Sequence, residues 1–317
     1  LAYFMSTKQE LVKTFSKGII PPFAMTALFC FLLLAQPDFG GAVVLSLILF
    51  FMCLIGGTRF IYLFMAIGVG LAGALALIIF EPYRARRLVA FLDPFADAQN
   101  AGYQLVQSIF ALGNGGWFGT GLTKGLPGSI PVVTKDFIFP AISEEFGGLF
   151  GIIIIMVCLN VFFEIITVLS ENRDIFNRQL LGGFGIMYIF QCFLNIGGTI
   201  NCIPSTGVTL PFVSYGGSSI ISSMIMIAII QGVAAKNMEQ NAIIADDNDE
   251  SDEAFQDEQH EKAPVQTVRS PRMVVGSLIL VLIISGYYIY ELATFDTSIL
   301  DSAYNRRLGK MQEQTKR

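Results

Sequence analysis

The stretch STGVTLPFVSYGGSS, residues 205–219, is a polar strip between two strongly apolar segments of the chain. It carries three glycines, one proline, one tyrosine and several hydroxyl groups, and it has no charged residue. Apolar flanks of about 20 residues are long enough to be membrane-crossing helices. Two interpretations stay open for the strip: a plain loop between two helices, or one wall of a binding cavity.

The whole chain has the composition of a membrane protein. Of its 317 residues, 53% are hydrophobic and 14% are charged, whereas a soluble domain carries about 25% charged residues. Hydropathy predicts an all-α, polytopic fold with seven spans of about 20 residues. One histidine, and five cysteines without CxxC spacing, argue against a metal site built from these residues. The predicted spans are residues 18–36, 41–57, 60–80, 148–170, 180–200, 218–236 and 273–292.

Composition divides the chain into three parts. Residues 1–236 form a membrane domain, residues 237–272 a linker, and residues 273–317 a further span with the segment that follows it. Within the linker, residues 237–262 carry a formal charge of −9 and few apolar side chains. Such a segment cannot bury enough apolar surface to fold alone, so we expect a disordered, solvated, cytoplasmic tether.

Lysine and arginine in the loops predict the orientation of a multi-pass protein in the cytoplasmic membrane. Positive loops stay on the cytoplasmic side, so residues 81–147 and 201–217 are expected to face outward. Three arginines, Arg84, Arg86 and Arg87, oppose this assignment. They either hold an anionic group, which guanidinium forks bind well, or anchor the chain to lipid phosphates. The cations that set the inner side are Lys8, Lys13, Lys17, Arg59, Arg173, Arg178 and Lys236.

The long outer segment begins with a helical pattern and then breaks. Leu105, Ile109 and Leu112 repeat at helical spacing, while Gln104 and Gln107 interrupt them. This pattern predicts a short amphipathic or re-entrant helix, because polar groups at membrane depth must be buried or line a wet cavity. The glycines of GNGGWFGTG, residues 113–121, end it. No phosphate-loop pattern is present, so nucleotide binding is unsupported.

The next stretch, IPVVTKDFIFPAISEEFGG, covers residues 130–148. Asp136 opens an apolar helix that also carries Glu144 and Glu145. Asp136 and Glu145 are nine residues apart, which places them about 180° apart on a helix. A carboxylate beside a membrane cavity is a functional candidate, although Asp136 could instead cap the helix.

These motifs resemble the SEDS family of bacterial shape, elongation, division and sporulation proteins, the RodA/FtsW group. The resemblance is carried by residues 35–45, 91–122, 136–147 and 204–219 and extends over residues 1–236. It implies a membrane glycosyltransferase of ten helices that polymerises lipid II into β-1,4 glycan on the outer face of the membrane. Six of the ten helices are expected here, with the first four missing. The run PVVTK, residues 131–135, departs from the Pro-Glu-Ala-His-Thr of many members.

The resemblance implies an inverting reaction in which a sugar 4-hydroxyl attacks an anomeric carbon bearing lipid pyrophosphate. Asp136 would be the general base, and outward cations would stabilise the leaving pyrophosphate. A divalent cation bridging pyrophosphate and carboxylate stays open; no other cofactor is expected. Glu144 and Glu145 would support the site. The predicted substrate-binding residues are Arg84, Arg86, Arg87, Gln104, Gln107, Lys124, Lys135, Tyr215 and Ser218.

The seventh predicted span is an addition to the family pattern. Residues 304–317, which follow it, resemble the first outer residues of a class B penicillin-binding protein. We expect a polymerase fused to its transpeptidase; a simple extra anchor helix is the alternative. The expected partners are lipid II, the growing glycan strand, this transpeptidase and membrane lipids, with no nucleic acid. A lipid-precursor flippase and a non-catalytic scaffold remain as competing functions, and the sequence does not distinguish elongation from division or sporulation.

Overall fold

The computed structural model describes residues 1–8, 14, 18–36, 38–80, 82–100 and 102–253. This part of the chain contains ten α-helices, one short 3₁₀ turn at Pro127–Ser129 and no strand. The all-α prediction is therefore confirmed. The helices are α1 (Ala2–Thr7), α2 (Ile20–Ala35), α3 (Phe39–Ile55), α4 (Phe60–Phe80), α5 (Pro82–Leu92), α6 (Tyr103–Gly115), α7 (Ile138–Phe146), α8 (Gly148–Glu171), α9 (Ile175–Thr199) and α10 (Gly217–Glu253).

Six of the seven predicted spans are helices in the structure. They correspond to α2, α3, α4, α8, α9 and the first part of α10, and the seventh, residues 273–292, lies outside the described residues. Helix starts follow local chemistry: the Asp38 carboxylate accepts a hydrogen bond from the Gly41 amide at 2.8 Å, and Asp174 accepts one from Phe176 at 3.3 Å. Three helices, α8, α9 and the first 23 residues of α10, are long and apolar enough to cross a membrane.

Helix α9 lies at the centre of the bundle, between α3 and α8. Glycines on α9 allow this close packing, because a Cβ on Gly182 would lie 2.5 Å from Ile55 Cδ1 of α3. Almost one turn further along the helix, a Cβ on Gly185 would lie 3.2 Å from Ile165 Cγ2 of α8. Small residues at such contacts are typical of helix packing in membranes.

The two segments that were predicted to share one face of the membrane do lie at the same end of the bundle. The Tyr215 amide donates a hydrogen bond to the Thr134 carbonyl at 2.8 Å. The Ser108 hydroxyl donates one to the Thr199 carbonyl at 2.7 Å. These bonds join residues 102–137 to the end of α9 and to the strip of residues 205–219 that follows it.

The acidic linker begins differently from the prediction. Residues 237–253 continue α10 as a helix, where a disordered tether was expected. Once a helix is nucleated, each further residue adds a hydrogen bond at little cost. The Ala and Glu residues of this segment are good helix formers, whereas its Asp and Asn residues are poor ones. The rest of the predicted linker, residues 254–272, lies outside the described residues.

Candidate active site

Asp136 lies in the turn that leads into α7. Its amide donates to the Val132 carbonyl at 3.3 Å, and Val132 has a φ of +55°, which is unfavourable for a β-branched residue. The N-cap of α7 is Phe137, and no side chain caps this helix. The helix-capping interpretation of Asp136 is therefore wrong, and its carboxylate is half-buried.

A single side chain of α9 fixes the main chain at this point. Asn195, which is only 3% exposed, donates from its Nδ2 to the Asp136 carbonyl at 2.9 Å. The same Nδ2 donates to the Val208 carbonyl at 2.8 Å. One buried amide thus ties the Asp136 turn to the strip of residues 205–219. Sequence reasoning missed Asn195; the signal that could have found it is a polar amide within an apolar span.

The strip passes directly beside the Asp136 carboxylate. Gly207 has a φ of +75°, and a Cβ there would lie 3.7 Å from Asp136 Oδ2. From the other side, α3 packs closely on the strip, because a Cβ on Gly40 would lie 2.7 Å from the Thr206 carbonyl oxygen. Glycine permits both arrangements. The strip is therefore packed against both the Asp136 turn and the start of α3.

Burial and two cations set the electrostatics of Asp136. Burial raises the pKa of the Asp136 carboxyl above its ordinary value, because the charged form is poorly solvated. Arg87 and, to a smaller extent, Lys135 oppose this rise in pKa by stabilising the carboxylate. Arg87 also donates from Nη1 to the Ser205 carbonyl at 3.3 Å. The guanidinium therefore contacts the strip and lies within electrostatic range of the carboxylate.

Other residues predicted for substrate binding have different positions. Gln104 donates from Nε2 to the Pro131 carbonyl at 2.8 Å, so it holds the turn before Asp136. Gln107 is buried on α6. Tyr215 is 73% exposed and Ser218 is exposed in the first turn of α10, so both present polar groups on the strip.

Lys124 lies apart from Asp136. The turn that contains it is fixed to the C-terminal end of α7, where the Gly121 amide donates to the Glu145 carbonyl at 3.0 Å. Asp136 precedes the other end of this nine-residue helix, about 13 Å away at a rise of about 1.5 Å per residue. The exposed Lys135, by contrast, directly precedes Asp136.

Glu144 and Glu145 also lie at the C-terminal end of α7. Glu144 is 1% exposed, and its carboxylate accepts hydrogen bonds from Asn114 Nδ2 at 3.3 Å and from the Leu126 amide at 3.2 Å. A Cβ on Gly125 would lie 2.9 Å from Glu145 Cγ. The Glu144 carboxylate therefore holds the segment of residues 114–126 on α7, and the Glu145 side chain packs closely against Gly125.

For two of the predicted arginines, the structure describes the backbone alone. Arg84 and Arg86 belong to α5, three residues and one residue before Arg87, and their side chains lie outside the described part of the structure. The group that the structure brings together therefore consists of Asp136, Arg87 and Lys135 with the strip of residues 205–219.

A family model and several named relatives match most of this chain. The family model described as "Cell cycle protein", for FtsW, RodA and SpoVE, matches residues 1–239. A relative from Neisseria gonorrhoeae (strain NCCP11945), named "Probable peptidoglycan glycosyltransferase FtsW", is 39% identical over 227 residues, which are 70% of this chain and 49% of the relative. A protein of the same name from Tolumonas auensis is 35% identical over 241 residues, 73% of this chain and 61% of the relative.

A solved structure is similar in fold as well. It is described as "Structural coordination of polymerization and crosslinking by a peptidoglycan synthase complex" and matches with a TM-score of 0.58 and 26% identity, covering 74% of this chain and 66% of the other. The chain spans about half to two thirds of the length of these relatives. The family match confirms the SEDS resemblance, and the chain is a membrane protein that belongs to the FtsW/RodA/SpoVE family of cell cycle proteins.

Proposed function

We propose that the chain is part of a peptidoglycan glycosyltransferase that polymerises lipid II into β-1,4 glycan strands. The names of its relatives support this activity. The observation that carries the proposal is the setting of Asp136, a half-buried carboxylate whose pKa is raised by burial and which faces Arg87. A carboxyl with a raised pKa is a better proton acceptor than an ordinary aspartate.

In the proposed reaction, the 4-hydroxyl of one sugar attacks the anomeric carbon of another that carries lipid pyrophosphate. Asp136 takes the hydroxyl proton as the new carbon–oxygen bond forms. The bond between the anomeric carbon and the pyrophosphate breaks, and the pyrophosphate leaves with the electron pair. Because the attack occurs opposite to the leaving group, an α-linked donor becomes a β-linked product.

Arg87 and Lys135 are the described cations closest to this chemistry. Both influence the Asp136 carboxylate electrostatically, so a pyrophosphate bound beside Asp136 also lies within their field. Positive charge that is in place before the reaction stabilises the negative charge developing on the leaving group. Arg84 and Arg86, on the same helix as Arg87, are proposed to extend this anion site.

A divalent cation could bridge the pyrophosphate and the Asp136 carboxylate. In the described part of the chain, no group of three His, Cys, Asp or Glu side chains converges, and Asp136 is the acidic ligand that this part would offer beside the pyrophosphate. A cation carried by the substrate would neutralise pyrophosphate charge there. The proton transfer to Asp136 and the anion binding by Arg87 do not depend on it.

We place the Asp136 end of the bundle outside the cytoplasmic membrane. Arg59 and Arg173 lie in the loops at the other end of the helices, and Lys236 lies 19 residues beyond the start of α10. Positive charge on the flanks of membrane spans stays in the cytoplasm. The solved relative is a synthase complex that couples polymerization to crosslinking, which supports a transpeptidase partner of the class B penicillin-binding type. Its fusion through residues 304–317 stays a prediction, because they lie outside the described residues.

The test is glycan synthesis by the purified intact protein with lipid II as substrate. The unmodified protein is expected to form polymer, and Asp136→Ala to form none. Glu171→Gln, which alters an exposed carboxylate at the opposite end of α8, is the control and is expected to retain activity. A flippase would move lipid II across a vesicle membrane without making polymer, and a scaffold would do neither, so either result would overturn the proposal.

A further inference from the structure

The segment that follows α6 exposes aromatic and aliphatic side chains. We define residues 116–122 as the aromatic loop. Within it, Trp117 is 41% exposed and Phe118 is 85% exposed, and Leu122 is exposed as well. Large apolar side chains grouped at one place on a surface commonly mark a contact site. No role in the proposed reaction uses these side chains, since the loop lies at the end of α7 away from Asp136.

The aromatic loop is fixed to the beginning of α8. The Gly148 amide donates to the Gly116 carbonyl at 2.7 Å, and the Leu149 amide donates to the Trp117 carbonyl at 3.3 Å. On the other side, the Thr120 amide donates to the Glu144 carbonyl at 2.9 Å. The loop is therefore held as a rigid extension of the first turn of α8.

Below this turn, α8 presents an apolar face that is continuous with the loop. Its exposed side chains recur at helical spacing and so share one side of the helix. Phe146, at the end of α7, stacks on Phe150 with ring centroids 5.0 Å apart, which joins the loop region to this face. The exposed residues are Leu149, Phe150, Ile153, Met156 and Val157.

The length of α8 sets the depth of the loop. Its 24 residues extend about 36 Å at about 1.5 Å per residue, whereas the hydrocarbon core is about 30 Å thick. A centred α8 therefore has its first turn just beyond the hydrocarbon, among the lipid headgroups. Aromatic rings with polar edges are enriched at that level.

We propose that the aromatic loop inserts into the headgroup region of the lipid bilayer on the Asp136 side. Trp117 and Phe118 lie at the boundary between hydrocarbon and headgroups, continuing the lipid-facing surface of α8. Lys124, exposed in the adjoining turn, extends its ammonium toward lipid phosphates. This assignment gives Lys124 a lipid contact instead of the substrate contact expected from the sequence.

Trp117 provides its own probe, because the 317-residue chain contains one tryptophan. The protein is reconstituted into phosphatidylcholine vesicles in which part of the lipid carries bromine, a fluorescence quencher, near the ester end or near the methyl end of the acyl chain. The emission of Trp117 is taken as the difference between the unmodified protein and Trp117→Phe, which removes any other contribution. Acrylamide, a water-soluble quencher, reports exposure to solvent.

We expect a blue-shifted emission that loses most intensity with bromine near the ester end and little with acrylamide. Phe118→Ser should increase acrylamide quenching, while Phe176→Ser, an exposed aromatic change at the start of α9, should leave it unchanged. Strong acrylamide quenching without bromolipid quenching would place the loop in water. Quenching by neither acrylamide nor bromolipid would mean that protein covers the aromatic loop. Stronger quenching by bromine near the methyl end than near the ester end would place the loop deeper, in the hydrocarbon. Each of these results overturns the proposal.

Discussion

Replacing Asn195 by leucine is expected to reduce catalysis without removing any group that contacts substrate. Leucine has the same number and branching of side-chain heavy atoms but lacks the Nδ2 donor that joins the Asp136 and Val208 carbonyls. Each hydrogen bond contributes about 1 kcal/mol net, so the two together hold the Asp136 turn by about 2 kcal/mol. If the activation free energy rises by this amount of about 2 kcal/mol, turnover falls about 30-fold, because each increment of about 1.4 kcal/mol in activation free energy changes the rate tenfold.

The assay is steady-state polymerisation of labelled lipid II by the purified intact protein, with kcat and KM determined separately. Because Asn195 holds the main chain of Asp136, the loss is expected in kcat, with KM little changed. Asn160→Leu is the matched control: it makes the same substitution at an exposed position of α8 and should leave kcat unaltered. Thermal unfolding of both variants shows whether the folded fraction is comparable.

Two results would refute the positioning role of Asn195. One is an unchanged kcat in Asn195→Leu protein that is folded to the same extent as the control. The other is a rise in KM at constant kcat, which would indicate that Asn195 acts on substrate binding and not on Asp136.

Three further perturbations follow from the same geometry. Arg87→Gln removes a charge that lowers the pKa of Asp136, so that pKa should rise further. The acid limb of the kcat/KM profile, where the carboxylate becomes protonated, should therefore move to higher pH. An acid limb at the same pH as in the unmodified protein would contradict this. Glu144→Ala removes the acceptor of two hydrogen bonds and should lower the free energy of unfolding by about 3 kcal/mol, with Glu144→Gln recovering part of the loss. Gly40→Ala should displace the strip beside Asp136 and reduce activity. The control Gly68→Ala, whose added Cβ would meet no atom within 4 Å, should not reduce it. Equal activities of the two variants would argue against the close packing of Gly40 on Thr206.

The membrane helices could be predicted from the sequence because each one is a local property. A span of about 20 apolar residues needs no tertiary information, and the predicted bounds for α4 agree with the structure at Phe60 and Phe80. The short helix α6 was also predicted, because glutamines interrupt a helical apolar pattern and glycines follow it. Residues 237–253 continue α10 in the structure, which composition alone does not predict because it ignores the helix that precedes them.

The candidate site was only partly predictable. Asp136 stands out as a carboxylate between apolar segments, and its motif singled it out. The contacts that define its setting join residues far apart in the chain, as Asn195 and Asp136 are separated by 59 positions. Periodicity carries no information about such pairs. For the same reason Lys124 and Glu144 were grouped with Asp136 by sequence proximity, while the length of α7 separates them in space.

The most direct test of the central claim is the rate of glycosidic bond formation in Asp136→Asn protein that is already loaded with lipid II. Asparagine keeps the shape of the side chain but cannot accept the hydroxyl proton at neutral pH. If Asp136 is the general base, binding of lipid II is retained while the rate falls by roughly 10²- to 10⁴-fold. Bond formation at the unmodified rate in the loaded Asp136→Asn protein would contradict the account.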